Sequence, residues 1–108
     1  MALLEHTAFN GIKILDKNIF TSDLGYFSTT FNSASLNSTF VQDSISKSYK
    51  TGTVRGLHFQ KSQHAQAKLI SVIEGSIVDF FVDLRKDSPT FLSHGRIELN
   101  QETTKSLF

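Results

Sequence analysis

Apolar and polar positions alternate with a period of two through much of this chain, most clearly from 76 to 84. There Val78, Phe80, Val82 and Leu84 fall on one side, and Ile77, Asp79, Phe81 and Asp83 on the other. The pattern predicts a strand whose all-apolar side is core and whose mixed side lines a pocket or meets water. A second β-branched run, 68–73, precedes it across Glu74 and Gly75, and the two together predict a hairpin. Shorter runs predict an edge strand over 12–15 after a turn at 9–11, strands over 39–44, 54–60 and 95–99, and a last one beginning at 105. Asp23, Leu24 and Gly25 read as a turn, with Phe27 and Phe31 as apolar anchors. The Ser-, Thr- and Asn-rich stretch 28–38 carries no apolar stripe of helical period and reads as loop with one helical turn; 46–52 is a polar loop. Many short strands punctuated by turns predict one all-β domain over 1–108, a sandwich or jelly roll.

Composition sharpens this picture only in places. The 108 residues fit a single domain with a modest core. Ten Phe and a single Pro favour strands. Eleven Lys and Arg against ten Asp and Glu leave a formal charge of +1, too little to argue for nucleic acid or an acidic membrane. With no cysteine, neither a disulfide nor a thiolate metal site can form. No basic n-region precedes a long apolar run, and no run approaches the ~20 residues of a membrane-spanning helix, so the expectation is a soluble cytoplasmic protein.

Candidate chemistry concentrates in fourteen residues that hold Arg55, His58 and Lys68. A strand histidine without a metal partner is commonly a packed structural residue, and a strand-end lysine is commonly solvated. Arg55 and His58, three apart, would point to opposite faces of a regular strand; a bulge at Gly56 would swing both into one pocket. An ammonium at Lys68 facing that pocket could hold the oxygen that turns negative when a proton leaves carbon next to a ketone, an effect worth roughly 2.7–4 kcal/mol in a transition state. Gly52 followed by His58-Phe59-Gln60 echoes a cupin metal motif, but Gln60 stands where a second histidine is needed and His64 lacks the paired spacing. His6 and His94 read as residues of unrelated turns, so no metal site is expected. Asp79 and Asp83 are the carboxylates best placed to orient a base, or else ordinary surface residues bonded to loop backbone.

The stretches Phe40-Val41-Gln42-Asp43-Ser44, Val54-Arg55-Gly56-Leu57-His58-Phe59-Gln60, His64-Ala65-Gln66-Ala67-Lys68-Leu69 and Val82-Asp83-Leu84-Arg85-Lys86-Asp87-Ser88-Pro89-Thr90-Phe91, with the tail 99–108, occur in an order and spacing that resemble the dTDP-4-dehydrorhamnose 3,5-epimerase family. The resemblance implies a cupin-type jelly roll, usually a homodimer, that needs no metal or cofactor. It also implies inversion at C3 and C5 of dTDP-4-dehydro-6-deoxy-D-glucose on the route to dTDP-L-rhamnose for polysaccharide. Carried over residue by residue, His58 matches the catalytic base, Lys68 the enolate stabiliser and Arg55 a diphosphate contact. Gln42, Ser44 and Phe27 fall at substrate-binding positions. The implied partners are a dTDP-sugar and a second copy or companion chain.

The departures are specific. Leu24 stands in place of a family arginine that contacts the nucleotide, Thr29 or Thr30 in place of a glutamate, and Ser44 in place of an asparagine. The family continues into a second half bearing a His-Gly motif, a proton-donating tyrosine and an aspartate that pairs with the base, none of which can be assigned within 1–108. The expectation is therefore a jelly roll without its C-terminal strands, its apolar faces and edges open to a partner. The alternative readings are a truncated or degenerate, non-catalytic sugar-nucleotide-binding module, a metal-dependent cupin, and a structural β-domain.

Overall fold

The computed structural model describes residues 2–6, 9 and 11–108, and Asn10 of the expected 9–11 turn lies outside them. Among the described residues, seven short strands form three separate antiparallel sheets. The first contains β1 (Ala2–His6), β2 (Lys13–Asp16) and β7 (Lys105–Leu107), in the order β1-β2-β7. The second is the hairpin of β3 (Ile19–Ser22) and β4 (Gly25–Ser28), closed by Asp23 and Leu24. The third pairs β5 (Ser76–Val82) with β6 (His94–Asn100). A single helical turn, α1 (Ser33–Leu36), lies inside the expected loop; the Asn32 side chain accepts from the Ala34 N–H at its start, and Asn37 ends it at φ 47°.

Five expectations are corrected. The segment 12–15 is not an edge, because β2 is flanked on both sides, by β1 and by the tail strand β7. The hairpin of 68–73 with 76–84 does not form. Ile70 instead bridges Leu107, with backbone bonds of 2.8 and 2.9 Å, and β5 takes β6 as its partner. The pattern was legible but the pairing was not, since either neighbour satisfies the same alternation. The two faces of β5 are also reversed: Phe81, partnered by Gly95, packs on the core beside Leu99 and Ile97, whereas Val78 and Phe80 are about half exposed. Finally, the stretches 39–44 and 54–60 form no strand. A strand is defined by its hydrogen-bonded neighbour, and among the described residues these have none. His6 and His94, expected in turns, end β1 and open β6.

The core is small. Ile14, Val72, Leu99 and Leu107 cluster at 8% exposure or less, with Ile12, Ile70, Phe81 and Ile97 packed around them. On the other face of the first sheet Leu15 and its cross-strand partner Ser106 are fully enclosed, and Ser106 shares a 2.6 Å hydrogen bond with Ser71. Phe40 lies edge-on to both Phe31 and Phe108, which ties the start of the following segment to the chain's last residue.

Between β5 and β6 the chain turns over residues 83–93, held by one carboxylate. Asp83 accepts from Arg85 Nε and Nη2, each at 2.9 Å, from the Arg85 N–H at 3.0 Å, from Ser88 Oγ at 2.5 Å and from Thr90 Oγ1 at 2.7 Å. Hydrogen bonds from Arg85 above all, then from Ser88 and Thr90, hold its carboxyl far below the usual carboxylate range. Asp83 is thus a turn staple with no capacity left to orient a base.

Candidate active site

Every residue from 41 to 68 is exposed, so a continuous arm leaves the body at Phe40 and rejoins it near Leu69. Its apolar side chains are bare: Val41, Ile45, Tyr49 and Val54 are 95, 83, 92 and 88% exposed. The arm carries Gln42, Ser44, Arg55, His58 and Lys68, whereas Phe27, Asp79 and Asp83 lie off it. Arg55 Nε donates to Ser48 Oγ at 3.3 Å and its Nη2 to the Lys47 carbonyl at 3.5 Å, so the guanidinium folds back along the arm. Gln42 Nε2 donates to Ser44 Oγ at 3.0 Å, bringing those two candidates together.

Gly56 departs from a regular strand, with φ at +96°, where an L side chain is strained. The position is also crowded: a Cβ there would stand 3.2 Å from His58 Nδ1, so the absent side chain lets the imidazole fold against the backbone at Gly56. The expected break at this glycine is present, but in an unpaired segment rather than as a bulge in a ladder. His58 makes no hydrogen bond among the described residues, and none joins Arg55, His58 and Lys68 to one another. Phe59 of the arm lines a cavity of about 310 Å³ together with Phe9, Ile12, Phe81 and Arg85.

Asp79, half-buried on the core-facing side of β5, has its carboxyl pushed up by burial and drawn back by the Lys68 ammonium. Of the two aspartates singled out in the sequence, Asp79 feels the Lys68 charge, whereas Asp83 is taken up by its own turn. Chemically, the open arm offers a guanidinium for a phosphate, an imidazole for proton transfer and an ammonium for a developing oxyanion. Among the described residues no three of His, Asp and Glu converge as a metal-ligand set.

Phe27 stands apart from these groups. It is 69% exposed, not the anchor expected, and lies on β3–β4 beside a second cavity of about 400 Å³ that no arm residue lines. That cavity also contains Lys17 and Tyr26, which the sequence reading passed over. Nothing in the pattern marks a lysine beside a strand as enclosed, because lysines there are ordinarily solvated.

A sequence profile described as dTDP-4-dehydrorhamnose 3,5-epimerase matches residues 6–108. The chain belongs to the dTDP-4-dehydrorhamnose 3,5-epimerase family. It is 36% identical to the Salmonella typhimurium epimerase over 114 residues, covering 100% of this chain and 62% of that protein. The Methanothermobacter thermautotrophicus epimerase is 40% identical, with 94% of this chain and 57% of that protein covered. Among solved structures, the Bacillus anthracis epimerase, with TDP and PPi bound, superposes with a TM-score of 0.91 at 43% identity, over 97% of this chain and 62% of the other. The Legionella pneumophila enzyme, in complex with dTDP-4-keto-L-rhamnose, gives 0.84 at 37%, over 94% and 56%. The chain therefore spans about three-fifths of the length of these epimerases. Over that span it takes their cupin-like, almost entirely β fold.

Proposed function

We propose that this chain supplies the base, the enolate-stabilising cation and the diphosphate contact of a sugar-nucleotide 3,5-epimerase acting on dTDP-4-dehydro-6-deoxy-D-glucose. The supporting observation is the accessible arm, on which Arg55, His58 and Lys68 stand clear of the core. The ketone at C4 acidifies the protons on C3 and C5. The His58 imidazole takes one of them, the C–H electron pair becomes the new C=C bond, and the carbonyl π pair moves onto oxygen. Lys68 holds that oxygen. A proton returned to the opposite ring face completes the inversion at each carbon. Arg55 takes the diphosphate, and Gln42, Ser44 and Phe27 contact the nucleotide sugar. No metal or cofactor takes part in this scheme. General base catalysis of this kind contributes about 10²–10⁴-fold.

The acid that returns the proton is proposed to come from a partner polypeptide, a second copy or a companion chain, docked along residues 41–68. The bare apolar side chains of the arm support this placement. The setting proposed is the cytoplasm, in the synthesis of dTDP-L-rhamnose for polysaccharide. Incubating the chain with dTDP-4-dehydro-6-deoxy-D-glucose in deuterated water tests the reading, because base chemistry at His58 exchanges the C3 or C5 proton even before inversion. Deuterium at either carbon is expected, and its absence from both rejects the enzymatic role for this chain.

A further inference from the structure

No hydrogen bond among the described residues holds the His58 ring, so the proposed base takes its position from its backbone. On one side that backbone is shaped by Gly56, where a Cβ would stand 3.2 Å from His58 Nδ1. On the other side comes Phe59. It is the least exposed large apolar side chain of the arm, at 61% against 74% for Leu57 and 88% for Val54. A base with no bond of its own moves with the segment that bears it, and a misplacement of about 1 Å can cost roughly 10²-fold in rate.

Phe59 is also the one arm residue, among those described, that lines the cavity of about 310 Å³ between residues 9–12 and the turn after β5. The rest of the lining belongs to the body. Phe9 lies edge-on to Phe81 at 5.1 Å, and Phe81 and Ile12 pack on the cluster of Ile14, Val72, Leu99 and Leu107. Arg85 is fixed by Asp83 through two guanidinium bonds of 2.9 Å. The cavity therefore offers anchored aromatic and aliphatic walls beside a segment that has no strand partner, and an aromatic ring buries more apolar surface there than any other arm side chain could.

We infer that Phe59 is a positioning residue for the reaction: its ring seats in this cavity and so fixes where the adjacent His58 imidazole meets the sugar. The inference rests on the epimerase reading for the role of His58, whereas the seat itself rests on the cavity and the exposures. A ring that touches no reacting atom acts through orientation alone. Its loss therefore lowers turnover without removing a substrate contact or changing the titration of the imidazole. Another apolar side chain of similar reach can hold the same seat.

Phe59→Ala is expected to lower kcat for deuterium exchange at C3 and C5 by about tenfold or more, with KM and the apparent pKa of the rate profile unchanged. Phe59→Leu is expected to recover kcat to within about threefold. Phe80→Ala, which removes a ring of similar exposure (57%) outside the cavity, should change neither constant. Because the chain has no cysteine, a nitroxide attached through Gln60→Cys reports on the arm beside Phe59 alone, and one attached through Thr51→Cys reports on the arm away from the cavity. Slower motion is expected at 60 than at 51, and adding Phe59→Ala should abolish the difference. Equal motion at the two sites, or motion at 60 indifferent to Phe59→Ala, overturns the seat. Unchanged kcat in Phe59→Ala, or a loss confined to KM, overturns the positioning role. The two readings fail differently. An unaltered chain that exchanges no deuterium rejects the epimerase and with it any role in the reaction, while the nitroxide still decides the seat; exchange that is independent of Phe59 rejects the inference and keeps the epimerase.

Discussion

His58 is exposed and holds no hydrogen bond among the described residues, so removing its imidazole should cost the fold nothing. His58→Ala is expected to lower deuterium exchange at C3 and C5 by at least about 10²-fold with its melting curve unchanged. Exchange at the unaltered rate would remove His58 from the chemistry. Lys68→Met should lower exchange by about 10²–10³-fold, as loss of an oxyanion donor does. Asp83 behaves in the opposite manner, because its contacts are all within the turn after β5. Asp83→Asn should lower the melting temperature and leave ligand affinity alone. The sign of its pH dependence follows from the depressed carboxyl. Its stabilising contribution is complete above the ordinary aspartate pKa of about 3.9 and is lost as pH falls toward the lower folded value. A melting temperature that fell equally with acid in the unaltered chain and in Asp83→Asn would show that the staple contributes nothing. The sequence named Asp79 and Asp83 as equals; only their surroundings, Lys68 for one and Arg85, Ser88 and Thr90 for the other, tell them apart.

At the scale of elements, the β5–β6 ribbon depends on a small residue opposite a large one. Phe81 sits across from Gly95, lies edge-on to Phe9 at 5.1 Å, and would stand 2.7 Å from a Cβ at position 95. Gly95→Ala must therefore displace the ring from the core, and is expected to destabilise the chain by about 1–3 kcal/mol in denaturant titration. A Gly95→Ala chain as stable as the original would mean that the ring yields freely. Existence of the ribbon's strands was legible, since alternation over 76–84 and 95–99 is local. Which face turned inward was not, because the mixed face contains Phe81 as well as Asp79, and the choice was made by Leu99 and Ile97 on a strand some twenty residues away.

For the whole molecule the arm dominates the shape. A radius of gyration of 15.0 Å exceeds the ~13 Å of a compact chain near this length, and the principal extents are 50 × 35 × 26 Å. Native-state hydrogen exchange should follow the same division: amides across 41–49 and 54–60 exchange at close to open-chain rates, while those of Lys13, Ile70 and Leu107, bonded across the first sheet, are protected. Strong protection across the arm in the isolated chain would show that a second copy already covers it.

The sequence by itself determined the strand-rich class, the family through the motifs around Arg55, His58 and Lys68, and the turn at Asp23 and Leu24, because each depends on residue identity or on local periodicity. Tertiary structure decided the rest. It paired Ile70 with Leu107 and β5 with β6, chose the inward face of β5, left 54–60 without a partner strand, and enclosed Lys17 beside a cavity. These depend on which distant segment supplies the hydrogen bonds and the apolar cover. Alternation along one strand records that a partner is needed, but not which one.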